Sequence, residues 1–179
     1  MTSEGQKPVT ILFDSIVETD YGQFDLVWGD GEGFDGDWDR VFDGHVNGLA
    51  GSASGDGLYV NLGRRSGGSQ VRMVLVDAQP TVGDDWEDIV EVSIVVPDGP
   101  VQWAAWAWDD SGDLALPAGT YRVRVNARGR DAGAEDEFAE EVVDFYLLEI
   151  WAAPADPDAI VRTTSKNAEY WHRENGGRR

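Results

Sequence analysis

Three aspartates at alternate positions, Asp35, Asp37 and Asp39, lie in the glycine-rich stretch Asp-Gly-Glu-Gly-Phe-Asp-Gly-Asp-Trp-Asp. Hard carboxylate oxygens at this spacing match the first three ligands of a calcium loop. The rest of that pattern is missing. Arg40 stands where the loop needs glycine, and Val46 where it needs a bidentate glutamate. The three are weak calcium candidates, and the expectation is no cofactor. Asp109-Asp110-Ser-Gly-Asp113 is a fainter version of the same theme. Catalytic groups are scarce. The chain has no cysteine, which removes thiol catalysis, thiolate zinc sites and disulfides together. It has two histidines, His45 and His172, and no Gly-x-Ser-x-Gly elbow beside any serine. With 34 carboxylates, no glycosidase-like pair is singled out. Phosphate-binding glycine loops are absent, and Gly63-Arg-Arg-Ser-Gly-Gly68 reads as a hairpin loop. The expectation is a protein that binds and is not an enzyme.

Charge says what it would bind. The chain carries 14 Lys+Arg against 34 Asp+Glu, a formal net charge of −20. Such a field repels nucleic-acid phosphates and anionic membranes and attracts basic proteins. From Met73 to Tyr121 there is no basic residue, while acids recur throughout. Asp35, Asp37, Asp39, Asp109, Asp110 and Asp113 are therefore the candidate partner-binding acids. Trp38, set among three of them, is the indole expected to stand exposed as a contact residue. Trp28, Trp103, Trp106 and Trp108 are expected in core or interface, a sugar-stacking platform being the alternative. Arg122, Arg124 and Arg128 form the one patterned basic stripe, expected to pair across strands with acids such as Asp144 or Glu149.

The elements that must position these residues are strands. Period-2 alternation marks residues 10–13, 23–28, 58–62, 70–76, 89–96, 101–108, 120–128 and 142–151. The 120–128 segment alternates most cleanly, with Tyr121, Val123, Val125 and Ala127 on one face and the arginine stripe on the other. It predicts an antiparallel strand wet on one side. Residues 129–137 predict a mobile polar loop, and Ser165 is a plausible N-cap for a short helix reaching about His172. The last four residues, Gly176-Gly-Arg-Arg179, are expected to fray. The fold class is all-β: a jelly-roll-like antiparallel β-sandwich of eight or nine strands over residues 1–165, then a C-terminal helix and flexible tail over 166–179. The glycine-rich stretch 29–57 is the largest irregular region and the expected place for a functional loop. No apolar run approaches a membrane span, and residues 1–7 lack a signal-peptide pattern, so the expected location is cytoplasmic.

The segments Leu116-Pro-Ala-Gly-Thr-Tyr-Arg-Val-Arg-Val125, Gly129-Arg-Asp131 and Tyr146-Leu-Leu-Glu-Ile-Trp-Ala-Ala-Pro154, with Tyr21-Gly-Gln23 near the start, resemble the competence protein J family. The resemblance spans about residues 15 to 165. It implies that family's fold and a role as an acidic partner and inhibitor of a bacterial DNA-entry nuclease. It carries no inhibitory residue onto this chain. The leading expectation is an acidic protein-binding module, an inhibitor or immunity-like partner of a nuclease or other basic protein, with no direct contact to nucleic acid or membrane. A calcium- or carbohydrate-binding sandwich and an accessory domain are the alternatives.

Overall fold

The computed structural model describes residues 8–136 and 140–179. The N-terminal heptapeptide and Glu137 of the expected polar loop lie outside the described residues. Eleven strands and three short helices are described: β1 (Val9–Thr19), β2 (Gln23–Trp28), α1 (Trp38–Phe42), β3 (Ala50–Gly51), β4 (Gly57–Asn61), β5 (Gly67–Val76), β6 (Asp88–Val96), β7 (Val101–Ala105), β8 (Ser111–Leu114), β9 (Gly119–Arg128), α2 (Arg130–Glu135), β10 (Phe145–Ala152), β11 (Ala159–Arg162) and α3 (Lys166–Glu174). The chain is mostly β, as its period-2 patterning predicts. None of the described helices is long and apolar enough to cross a membrane.

The strands form two sheets. One has six strands in the order β1-β5-β10-β9-β6-β11, the other five in the order β3-β4-β2-β7-β8. The five-stranded sheet is antiparallel. The six-stranded sheet is mixed, because β10 runs parallel to β5; the expectation of purely antiparallel pairing is corrected there. Of the stretch read as a hairpin loop at residues 63–68, residues 63–66 lie in the connection from β4 in one sheet to β5 in the other, and Gly67 and Gly68 open β5.

A single buried apolar cluster draws on both sheets. Val71 and Met73, Val123 and Val125, and Tyr146, Leu148 and Ile150 come from the six-stranded sheet; Phe24, Leu26, Leu58 and Val60 come from the five-stranded one. These residues occupy alternate positions of their strands, so the period-2 signal places the core.

The outer face of the six-stranded sheet departs from expectation. Arg122, Arg124 and Asn126 are buried, so β9 is dry on both faces and not half-wet. The reason is two irregular segments that fold back over that face. Arg124 donates to the Pro80 carbonyl at 2.7 Å, and Arg122 donates to the carbonyls of Asp156 and Pro157 at 2.8 and 2.9 Å. Buried guanidinium groups persist only when their donors are used and their charge is met. Arg124 lies 2.9 Å from Glu91 and 3.7 Å from Glu149. The expected cross-strand partner Glu149 is therefore found. Asp144 is not a partner of the stripe: fully buried, it accepts from Ser69 Oγ at 2.9 Å and Tyr146 OH at 2.7 Å.

The segment expected to be a mobile loop after β9 contains α2, whose Arg130 is buried and donates to the Asn61 carbonyl at 2.6 Å. Asp131 accepts from the backbone N–H groups of Lys166 and Asn167, the first residues of α3. Ser165 caps α3 as expected, its hydroxyl accepting from Ala168 N at 3.0 Å. The tail is tied down where fraying is expected: Gly177 N donates to Val46 O at 3.1 Å, Arg178 N to His45 O at 2.9 Å, and Arg179 pairs with Asp158.

Candidate functional site: an acidic and aromatic face around Trp106

Two chain reversals at the same end of the molecule build this face. β1 turns into β2 through Asp20-Tyr21-Gly22, where Tyr21 (φ +57°) and Gly22 (φ +64°) are both left-handed. At Gly22 the reason for glycine is contact as well as φ, since a Cβ there would lie 2.5 Å from the Leu62 carbonyl oxygen. Tyr21 pays the conformational cost of a side chain in this region, of order 1 kcal/mol. Its ring is held outward, 59% exposed.

The second reversal follows β7. The strand expected to continue to residue 108 stops at Ala105, and residues 106–108 form a tight turn in which Ala107 and Trp108 have φ of +56° and +59°. Both indoles therefore escape the strand's alternation. Trp106 and Trp108 are partly exposed, at 36% and 38%. The turn is pinned at both ends: Trp106 N donates to Thr19 Oγ1 at 3.0 Å, and Trp108 Nε1 donates to the Glu32 carbonyl at 3.0 Å. Rigid, pinned aromatics lose little rotamer entropy on binding, which suits them as anchors.

Trp106 stands between two grooves. One, of about 420 Å³, is lined by Glu18, Asp20, Asp109 and Asp110. Among the described residues none of these four carboxylates is in an ion pair. The other, of about 480 Å³, is lined by Tyr21, Phe34, Asp35, Trp38 and Tyr59. The Tyr21 and Trp106 rings lie 5.3 Å apart, Phe34 stacks on Tyr59 at 4.3 Å, and Trp38 lies 4.5 Å from Phe34.

The structure thus brings four of the seven candidate partner-binding residues, Asp35, Trp38, Asp109 and Asp110, to one face. Trp38 is half-buried, packed on Phe34, Phe42, Tyr59 and Trp171, and is not the exposed indole expected. Asp37 caps α1 by accepting from Arg40 N at 3.1 Å. Asp39 pairs with Arg178, and Asp113 lies opposite Gln102 on β8, lining neither groove. Asp35, Asp37 and Asp39 do not converge, and among the described residues no three acidic or histidine side chains gather as metal ligands. Of the arginine stripe, Arg122 and Arg124 are buried on another face, and Arg128 is exposed beside Trp86 and Phe145.

Sequence reasoning missed Glu18, Asp20, Tyr21 and Asp25. The Asp-Tyr-Gly turn signal was available for Asp20 and Tyr21. Asp25 is 2% exposed on β2 beneath the aromatic groove, accepting from Gln23 Nε2 at 2.7 Å and Phe34 N at 3.2 Å. It thereby ties the Gly33–Phe34 loop to the sheet. Burial pushes its carboxyl up to about 6, against the lowering effect of these hydrogen bonds and of Arg40. Below about pH 6 the folded chain therefore favours the protonated form, and the stability this gives is present at low pH and lost as pH rises from about 4 through 6. D25N removes that dependence. The stability of D25N relative to the natural chain should rise by about 2 kcal/mol between pH 4 and pH 7. Urea unfolding across that range checks it, and a flat difference contradicts it.

No family model matches the chain, and no curated protein matches it by sequence. Solved structures match it in fold. ComJ from Bacillus subtilis, an inhibitor of the DNA-degrading activity of NucA, is similar with a TM-score of 0.55 at 16% identity, covering 82% of this chain and 99% of that one. A crocagin biosynthesis protein, the product of gene J, is similar with a TM-score of 0.54 at 15% identity over the same shares. The chain has a ComJ-like fold.

Proposed function

We propose that the chain is a non-catalytic, acidic protein-binding module that inhibits a basic partner, a nuclease being the expected class. The observation that carries this reading is the face around Trp106, where four carboxylates with no ion pair among the described residues adjoin aromatic side chains and a turn pinned at both ends. A nuclease offers DNA a cleft lined with cations; carboxylates placed beside hydrophobic anchors can occupy such a cleft in place of phosphates. The shared fold with an inhibitor of DNA degradation supports the same reading. We read the two sheets around one core as a sandwich-like scaffold whose loops at one end present this face. The proposed setting is the cytoplasm, and the reading calls for no cofactor.

The test is capture from native-source lysate at low salt and at 0.5 M salt, followed by an assay of the eluate for DNA degradation. The expected result is a basic, DNA-degrading protein held at low salt, released at high salt, and inhibited when the purified chain is added back. A partner whose capture is indifferent to salt, or whose activity the chain leaves untouched, refutes it.

A further inference from the structure

A further groove, sharing no lining residue with the two beside Trp106, lies on the outer face of the six-stranded sheet. Its volume is about 740 Å³, within the range of sites for small molecules. β5 and β10 supply the floor. Arg72 faces Leu147 in their parallel register, and Phe145 faces Arg128 on β9. Val74 and Val76 extend the floor, while Pro80 and Trp86, from the segment between β5 and β6, form the opposite wall. That segment is clamped to the sheet: Arg124 donates to Pro80 O, and Arg162 donates to the carbonyls of Gly83 and Trp86 at 2.9 and 2.8 Å. The groove is a built feature, held open by buried or anchored arginines and not by a loose loop.

Its lining balances two guanidinium groups, Arg72 and Arg128, against two carboxylates, Asp14 and Glu149, where the chain as a whole is strongly acidic. Two guanidinium groups line it, and neither Arg72 nor Arg128 has an ion pair or hydrogen bond among the described residues. In a chain with 34 acids this is not for want of partners. Of the acids in the same groove, Glu149 accepts from Asn126 Nδ2 at 3.0 Å and pairs with Arg124, and Asp14, opposite Arg72 in the β1–β5 register, accepts from Gln70 Nε2 at 2.8 Å. The Arg128 guanidinium carbon lies 5.3 Å from the Trp86 ring centre and 4.8 Å from that of Phe145, so two rings hold the group at this wall. A guanidinium fork beside an apolar trough fits a carboxylate with a hydrocarbon tail.

The geometry points to a second binding site here, independent of the partner-binding face, for a small apolar molecule bearing one carboxylate: the tail lies over Val74, Leu147 and Pro80, and Arg72 and Arg128 take the carboxylate. Such a ligand would be seated by local contacts at physiological salt, where the protein's overall field is screened beyond about 8 Å.

Sodium decanoate is the probe, titrated into the full chain at 150 mM salt by calorimetry and by NMR of the Trp86 indole. Binding is expected, with the Trp86 signal shifting, and 1-decanol is expected to bind at least tenfold more weakly. R72Q, at an exposed position outside the core, should weaken decanoate binding about tenfold, and R72Q combined with R128Q about a hundredfold. L147W should block it by filling the floor. The thermal melt of R72Q should match the parent, which separates loss of binding from loss of fold. The proposal is overturned if decanoate at millimolar concentration leaves the Trp86 signal unmoved, or if it binds the double arginine variant as well as the natural chain.

Discussion

Replacing Arg124 with leucine is expected to lower the free energy of unfolding by about 3–5 kcal/mol, the usual cost of removing one partner from a buried charge cluster. Arg124 is 1% exposed and sits over the Trp151 ring at 5.4 Å. It is the group common to Glu91, Glu149 and Pro80. Without it, Glu149 keeps only the Asn126 amide, and Glu91 keeps Arg122 at 3.7 Å. Two carboxylates are then left in a dry environment with too little to offset their desolvation. R124K keeps the charge and loses the fork, so an intermediate loss is expected. R124L combined with E91L and E149L should recover much of the stability, because no charge is then stranded. Urea unfolding measures all three. The same R124L variant should show faster hydrogen exchange in residues 77–83, since the carbonyl clamp on Pro80 is gone. A loss under about 1 kcal/mol would mean that the cluster is solvated in a way its burial does not indicate.

Neutralising the free acids beside Trp106 is expected to act on a rate. Asp20, Asp109 and Asp110 changed together to asparagine should slow association with the captured partner about 10- to 100-fold at low salt, and the difference should close at 0.5 M. W106A should instead speed dissociation, by about tenfold or more, as loss of a central aromatic anchor does. Surface-immobilised kinetics at two salt concentrations separates the two effects. If the triple variant and the natural chain associate alike at low salt, the carboxylates serve solubility and the partner docks elsewhere; the accessory-domain reading makes that forecast. The pair of variants therefore tests both the location of the interface and the division of labour within it.

Much of the fold was legible because strand alternation is a local property. The faces of β5, β9 and β10 could be assigned from Val71 and Met73, Val123 and Val125, and Leu148 and Ile150 alone, and Ser165 announced α3. What was not legible is what lies on top of a strand. The arginines at 122 and 124 have the pattern of a wet face, and nothing within β9 reveals that residues 77–83 and 153–157 return to cover them. The parallel pairing of β10 with β5 was hidden for the same reason, since register between distant strands leaves no periodic mark in either. At the candidate site, Asp109 and Asp110 were found by charge alone. Trp38 was misjudged because its immediate neighbours Asp37 and Asp39 are tied to Arg40 N and Arg178 while its own ring packs on Phe34, Phe42 and Tyr59. Tyr21 and Trp106 owe their exposure to left-handed backbone at non-glycine residues, a tertiary strain that composition cannot foretell.

The placement of β10 between β5 and β9 also governs the order in which the chain can become a protein. As the polypeptide leaves the ribosome, β1 and β5 can pair early, and β6 with β9 later, but β5 keeps an open edge until residue 145 has emerged. Until then the six-stranded sheet exists as two unjoined ribbons, each with an apolar face and an unsatisfied backbone edge. Closure requires a parallel pairing across a long stretch of sequence, a slow class of event. A nascent chain halted before β10 is therefore a half-built sheet with a sticky seam, prone to pair with its neighbours on the same message. β10 is the strand whose arrival joins the two ribbons into one sheet.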